Sequence, residues 1–143
     1  QSSVLVSVIE PVIASKFTTE GLPKLALNPI YFDFNQSSIR SDAKRVMDEN
    51  IRILKQNPDL IIKVLSHCDS RGSVDYNVLL SDKRARATVN YMVAHGISKQ
   101  RIIAVRGMGE SNLVNDCDGS VWCPSSDHQL NRRSDLIIVA KKK

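Results

Sequence analysis

The chain has 143 residues, 42% hydrophobic and 24% charged, the proportions of one folded domain able to build a core without metal or dense crosslinking. Twenty Lys and Arg against fifteen Asp and Glu give a net charge of +5, which favours anionic partners, although part of the excess is the solvated tail Lys141-Lys142-Lys143. No apolar run approaches the about 20 residues of a membrane-spanning helix. The most apolar N-terminal piece, Val4 to Ile13, lacks the basic start and cleavage site of a secretory signal.

Residues 1–28 read as a linker or an added strand leading from a missing upstream region, because the chain starts at Gln1 and Thr18 to Pro23 has loop chemistry. Pro29 to Phe34 is predicted as the first strand, rich in Ile and aromatics. Ser41 is the expected N-cap of a helix whose stripe is Ala43, Val46, Met47, Ile51 and Leu54, ended by Asn57-Pro58. Leu60 to Leu65 is the second strand. A second helix is expected from about Asp75 to His95, stopped by Gly96. Arg101 to Arg106 and Ser134 to Ala140 complete the strands, separated by a loop, Gly107 to Arg133, too long to be idle. The order β-α-β-α-β-β implies an α/β fold of the α+β-sandwich kind. Two main helices would pack on one face of a mixed four-stranded sheet, with residues 29–143 forming the domain.

The densest chemistry lies between Ser66 and Arg84. A strand delivers Asp69 into a polar turn, and the helix behind it presents Asn77 and Arg84 seven residues apart. At about 100° per residue, that spacing returns to nearly one azimuth two turns along. Asn77, Ser81, Arg84 and Thr88 form one polar line. A carboxylate and a guanidinium facing one cleft suit a zwitterion, the first for its ammonium and the second for its carboxylate. Taken singly, Asp69 would cap the following helix and Arg84 would belong to a solvated charged face with Lys83 and Arg86.

The pattern His67, Asp69, Gly72, Asn77, Leu80-Ser81 and Arg84-Ala85 continues as Gly107-Met108-Gly109-Glu110 and Asn131-Arg132-Arg133-Ser134-Asp135. With Phe32-Asp33-Phe34-Asn35, it resembles the OmpA C-terminal-like family of peptidoglycan-binding domains over roughly residues 29 to 140. The resemblance implies non-catalytic binding of the diaminopimelate-bearing stem peptide of peptidoglycan, on a periplasmic domain that tethers an outer membrane to the cell wall. It casts Asp69 as the ammonium ligand and Arg84 as the carboxylate ligand. Asn77 and Asn35 become further contacts and Arg133 a pocket arginine, while Arg132 reads as structural or surface. Ser70 and Arg71 line the turn, where backbone amides could meet a carboxylate. The membrane would be reached only through a missing upstream element or lipid anchor, and self-association stays open. One departure stands beside Asp69: Cys68 occupies a position where the family commonly has Thr, removing a hydroxyl.

Cys117 and Cys123 bracket a turn-rich segment and are expected to form a short-range disulfide, which implies an oxidising compartment. Cys68 is left over as a partly buried free thiol. A metal site from Cys117, Cys123 and His128 is the weighed alternative, but C-x5-C-x4-H fits no standard zinc spacing. The reading therefore assigns no metal, no cofactor and no catalytic residue. Nucleic-acid binding through Tyr31, Phe32 and Phe34 is set aside, because alternating strand residues split these rings across two faces. The remaining alternative is an interaction module that keeps the fold without wall binding.

Overall fold

The computed structural model describes residues 16–143. In chain order they form β1 (Phe17–Thr18), β2 (Ile30–Tyr31), α1 (Ser41–Gln56), β3 (Leu60–Ser66), α2 (Val74–Ala94) and a 3-10 turn (Lys99–Arg101). There follow β4 (Ile102–Gly107), α3 (Ser125–Gln129) and β5 (Arg133–Lys142). The Val4 to Ile13 piece lies outside the described residues.

β3 is the middle strand, flanked by β5 and β4. From Ile62 its burial alternates: Ile62, Val64 and Ser66 are buried toward the core, while Lys63 and Leu65 on the other face are half-buried. The strand pairs parallel with β4 and antiparallel with β5. The free edge of β5 carries two short strands: β2 against its start (Ile30 opposite Ser134) and β1 against its end (Phe17 opposite Lys142). The four expected strands thus form a mixed sheet, and Phe17–Thr18 adds a fifth. The two main helices cover one face of this sheet. Ala43, Met47, Ile51 and Leu54 of α1 meet Ile30, Phe32, Ile62, Val64 and Met92 in one core. Each such fully buried large side chain contributes about 1.5–3 kcal/mol.

Several boundaries differ from the sequence reading, each for a local reason. The first strand stops at Tyr31, since the chain turns at Asp33 to Gln36, with the Gln36 amide on the Asp33 carbonyl and Asn35 at φ 57°. Ser41 is the first residue of α1 and not its cap; Arg40 takes the cap position, and Asp42 accepts the Ala43 amide. Ser73 caps α2 by accepting the Tyr76 amide, which starts the helix at Val74. The long loop contains α3.

The end of β4 is pressed against α2. The Gly107 amide donates to Asp82 Oδ1 and the Gly109 amide to Ser81 Oγ, both at 2.9 Å. A Cβ on Gly107 would collide with the Asp82 backbone amide and the Ser81 hydroxyl. Gly107→Ala is therefore expected to cost about 3 kcal/mol by overpacking, read as a lower denaturation midpoint. An unchanged midpoint would show that the strand can move away from the helix.

Candidate ligand-binding pocket

The pocket forms where β3 runs out. Ser66 accepts the Met108 amide, His67 donates to the Arg133 carbonyl and Cys68 to the Gly109 carbonyl, each at 2.8 Å. These bonds carry the chain in extended form to Asp69. Asn77 then holds the turn: its Nδ2 donates to the carbonyls of Asp69 (3.3 Å) and Arg71 (3.0 Å) and to Glu110 Oε1 (3.2 Å). This places Asp69 and the α2 side chains in one fixed corner.

Asp69 is 3% exposed. Its Oδ1 accepts the Arg71 backbone amide (2.9 Å) and Arg71 Nε (3.2 Å), and its Oδ2 accepts Arg71 Nη2 (2.9 Å) and Arg132 Nη1 (3.1 Å). Burial acts to raise its pKa, but these hydrogen bonds and the Arg71 charge outweigh it, and the carboxyl lies below its usual range. Asp69 does not cap α2; Ser73 does that. Arg71 forms the roof, its guanidinium stacked 4.2 Å from the centroid of the Phe34 ring.

Arg84 is wholly buried, against its ordinary expectation as a solvated helix residue. Nε donates to the Gln36 carbonyl (2.8 Å), Nη1 to the His67 carbonyl (3.0 Å) and Cys68 Sγ (3.3 Å), and Nη2 to the Asp33 carbonyl (3.0 Å). Burial pushes its pKa down. Of its five N–H donors, these bonds leave, among the described residues, one Nη2 hydrogen for a ligand. A bidentate grip by Arg84 alone would require it to release a carbonyl.

Arg132 supplies what Arg84 lacks. It is buried, donates from Nε to the Phe32 carbonyl (2.8 Å), and reaches Asp69. Arg133, the arginine expected at the pocket, points the other way, to Asp135 (3.2 Å) and the Asn112 carbonyl (3.2 Å). The signal for this exchange lies in strand alternation. Ser134 faces α2, where its hydroxyl bonds Thr88 at 2.8 Å, so Arg132 shares that side while Arg133 and Asp135 share the opposite one. His67 also lies on that opposite side, with Nε2 3.3 Å from Asp135 Oδ2. Asn35 lines the pocket and accepts a hydrogen bond from Tyr76 (3.4 Å); Ser70 lies outside the lining. Phe34, Leu80 and Cys68 line it as well.

As it stands, the corner encloses only ≈ 10 Å³, room for about one water molecule. Three guanidiniums (Arg71, Arg84, Arg132) and one carboxylate (Asp69) line it, with Glu110 one hydrogen bond away through Asn77.

Cys68 both donates and accepts here, as a hydroxyl can. Its Sγ donates to the Asn77 carbonyl (3.2 Å) and accepts from Arg84. Burial pushes its pKa up to about 11, so it is a neutral thiol at physiological pH. Cys68→Thr is accordingly expected to keep stability within about 1 kcal/mol, checked by chemical denaturation. A larger loss would mean that the site is shaped around sulfur.

Cys117 and Cys123 are joined in a disulfide, with Cα atoms 5.9 Å apart. Asp127 lies beside the two sulfurs, but His128 is not part of that group. With both sulfurs committed to each other, no thiolate is offered to a metal.

The profile of the OmpA family matches residues 31–121, well over half of the chain. The chain is 35% identical over 110 residues to the peptidoglycan-associated lipoprotein of Rhizobium meliloti (strain 1021), covering 76% of this chain and 58% of that protein. It is 40% identical over 93 residues to outer membrane protein A of Klebsiella pneumoniae, covering 62% of this chain and 27% of that one. The chain thus spans somewhat over half the length of the lipoprotein relatives and about a quarter of the outer membrane protein. Among solved structures, the peptidoglycan-associated lipoprotein of Burkholderia pseudomallei superposes with a TM-score of 0.67 at 24% identity, over 77% of this chain and 88% of that one. The type VI secretion cell-wall anchor of Pseudomonas aeruginosa gives 0.62 at 17% identity, over 99% and 98%; at these identities the likeness is one of fold. Fold, motif order and family profile agree: the chain belongs to the OmpA family.

Proposed function

We propose that this chain is a periplasmic binding domain of an outer-membrane-associated protein, recognising the diaminopimelate-bearing stem of peptidoglycan and tethering the membrane to the wall without catalysis. Residues 29–143 form the binding unit, with Phe17–Thr18 added at the edge of its sheet. The observation that carries the reading is the buried corner of Asp69, Arg84 and Arg132 at the end of β3. A fixed carboxylate beside fixed guanidiniums is complementary to an ammonium and a carboxylate on one carbon. Diaminopimelate presents that pair at the end of its side chain. Two of the relatives are named for association with peptidoglycan, which agrees with this assignment.

The closed corner adds a step. Asp69 already accepts four hydrogen bonds, three of them from Arg71, so the ligand's ammonium takes the place of the Arg71 guanidinium. Arg71, at the surface end of the corner, then turns toward the ligand's carboxylate together with Arg132 and the remaining Arg84 hydrogen. Each charge-assisted bond contributes about 1.5–3 kcal/mol before the costs of immobilisation. Affinity per site is modest, and a polymeric wall converts it into durable attachment. The groove beside the corner, ≈ 330 Å³ between Val74, Val78 and Met108 with Glu110 at its border, receives the rest of the stem.

Co-sedimentation with insoluble diaminopimelate-type peptidoglycan tests this. The wild-type chain is expected to pellet at physiological salt and to be displaced by free stem peptide. A second reading, the fold kept as an interaction module, draws on the saturation of Asp69 by Arg71 and Arg132; it gains if the chain stays in the supernatant. Pelleting lost in salt but indifferent to stem peptide would indicate diffuse charge attraction.

A further inference from the structure

The disulfide loop presents an indole that the pocket does not use. Trp122 is 86% exposed, with Val121 beside it at 56%. A tryptophan left in water is uncommon for so apolar a surface, and this one is held in a stiff frame. The Cys117–Cys123 bond closes the ring that contains it. Within that ring Asp118 Oδ1 accepts the Ser120 amide (2.9 Å) and hydroxyl (2.5 Å), and Gly119 adopts φ +97°, which a side chain would resist.

The loop is also bonded to the pocket at both ends. Glu110 at its start accepts Asn77 Nδ2. Near its end, fully buried Asn131 accepts the Val114 amide (2.7 Å) and donates to Asn115 Oδ1 (2.9 Å). The next residue, Arg132, lies on Asp69.

Charge selects the kind of partner. Between Arg106 and Arg132 the chain has no Lys or Arg, but it has Glu110, Asp116, Asp118 and Asp127, in a chain whose net charge is +5. Such a rim repels phosphate-rich surfaces, lipid or nucleic acid. It suits a neutral ligand with hydroxyl and amide donors and an apolar face. Pyranose rings have that chemistry: their axial C–H faces stack on an indole while hydroxyls and N-acetyl amides donate to carboxylates.

We infer that Trp122 is a stacking platform for the β-1,4-linked N-acetylhexosamine strand of the polymer, a glycan subsite separate from the stem-peptide pocket. This rests on the wall-binding reading above. Because the loop is pre-shaped, stacking orders little new chain. The loop is tied to the pocket through Glu110 and through Asn131 beside Arg132, so a ligand with both sugar and stem is expected to engage the two subsites together, which the muropeptide comparison reads.

The single tryptophan of the chain makes the test direct. Titration with a β-1,4-linked N-acetylglucosamine tetramer is expected to change the emission saturably, whereas stem tripeptide alone leaves it unchanged. By calorimetry, Trp122→Ala should lower affinity for a disaccharide–stem muropeptide about tenfold, with free stem tripeptide bound as before. Trp122→Phe should recover part of the loss. Flat emission at millimolar tetramer, as a platform for a protein partner would also give, or equal muropeptide binding by Trp122→Ala, overturns the inference. A tetramer response without any stem-peptide binding would sink the pocket reading and leave the glycan subsite standing.

Discussion

Arg84→Ala is expected to destabilise the fold by about 3–5 kcal/mol, the usual cost of breaking a buried charged network. The guanidinium ties the Asp33–Gln36 turn, the end of β3 and α2 together through three backbone carbonyls. Alanine would leave those carbonyls buried without donors, each costing about 1–3 kcal/mol, and would open a void beside Phe32. For a domain of this size the melting temperature should fall by about 10 °C or more. Lysine cannot replace it, because a single ammonium cannot span carbonyls that approach a planar fork from different sides. An Arg84→Ala protein melting like wild type would show that the residue is held for ligand alone.

Asp69→Asn is expected to act chiefly on binding. Asparagine keeps an acceptor for the Arg71 amide, so the turn survives. It removes the carboxylate that pairs with both Arg71 and Arg132, leaving the corner to repel an ammonium. Affinity for stem peptide should fall about 100-fold, the equivalent of about 2.7 kcal/mol, with melting lowered far less than by Arg84→Ala. The same carboxyl sets a pH response. Its folded pKa is depressed, so its contribution is fully present above the unfolded value and is lost as pH falls through the folded one. Wild-type stability from this group therefore persists through neutral and mildly acidic pH and fades only below the normal carboxylate range, a fall that the Asn variant should not share. Equal stem-peptide affinity in the two proteins would remove Asp69 from the site.

The helices and strands were legible because each long element has its own period and stop: the α1 stripe ending at Asn57-Pro58, α2 halting at Gly96, the apolar run of β3. The two-residue strand Phe17–Thr18 carries no such period, and only its pairing with the end of β5 defines it. The polar line of Asn77, Ser81, Arg84 and Thr88 was readable from helical spacing, and all four are buried. Their partners were not, since Arg84 bonds residues 48 and 51 positions away in sequence. The exchange of Arg132 for Arg133 was within reach of strand alternation, had β5 been started one residue earlier and its α2-facing side fixed by Ser134. Closure of Asp69 by Arg71 is a rotamer choice between residues two apart, which residue order alone does not express.

The central claim is recognition of a charge pair at the end of a stem side chain, and one calorimetric titration addresses it most directly. The wild-type chain would be titrated with two soluble stem tripeptides identical except at the third residue, diaminopimelate in one and lysine in the other. Both offer an ammonium, and only the first adds the carboxylate on the same carbon. The account predicts at least about tenfold tighter binding of the diaminopimelate peptide, from the one or more charge-assisted bonds that the carboxylate gains. Equal binding of the two, or binding of neither, would contradict it.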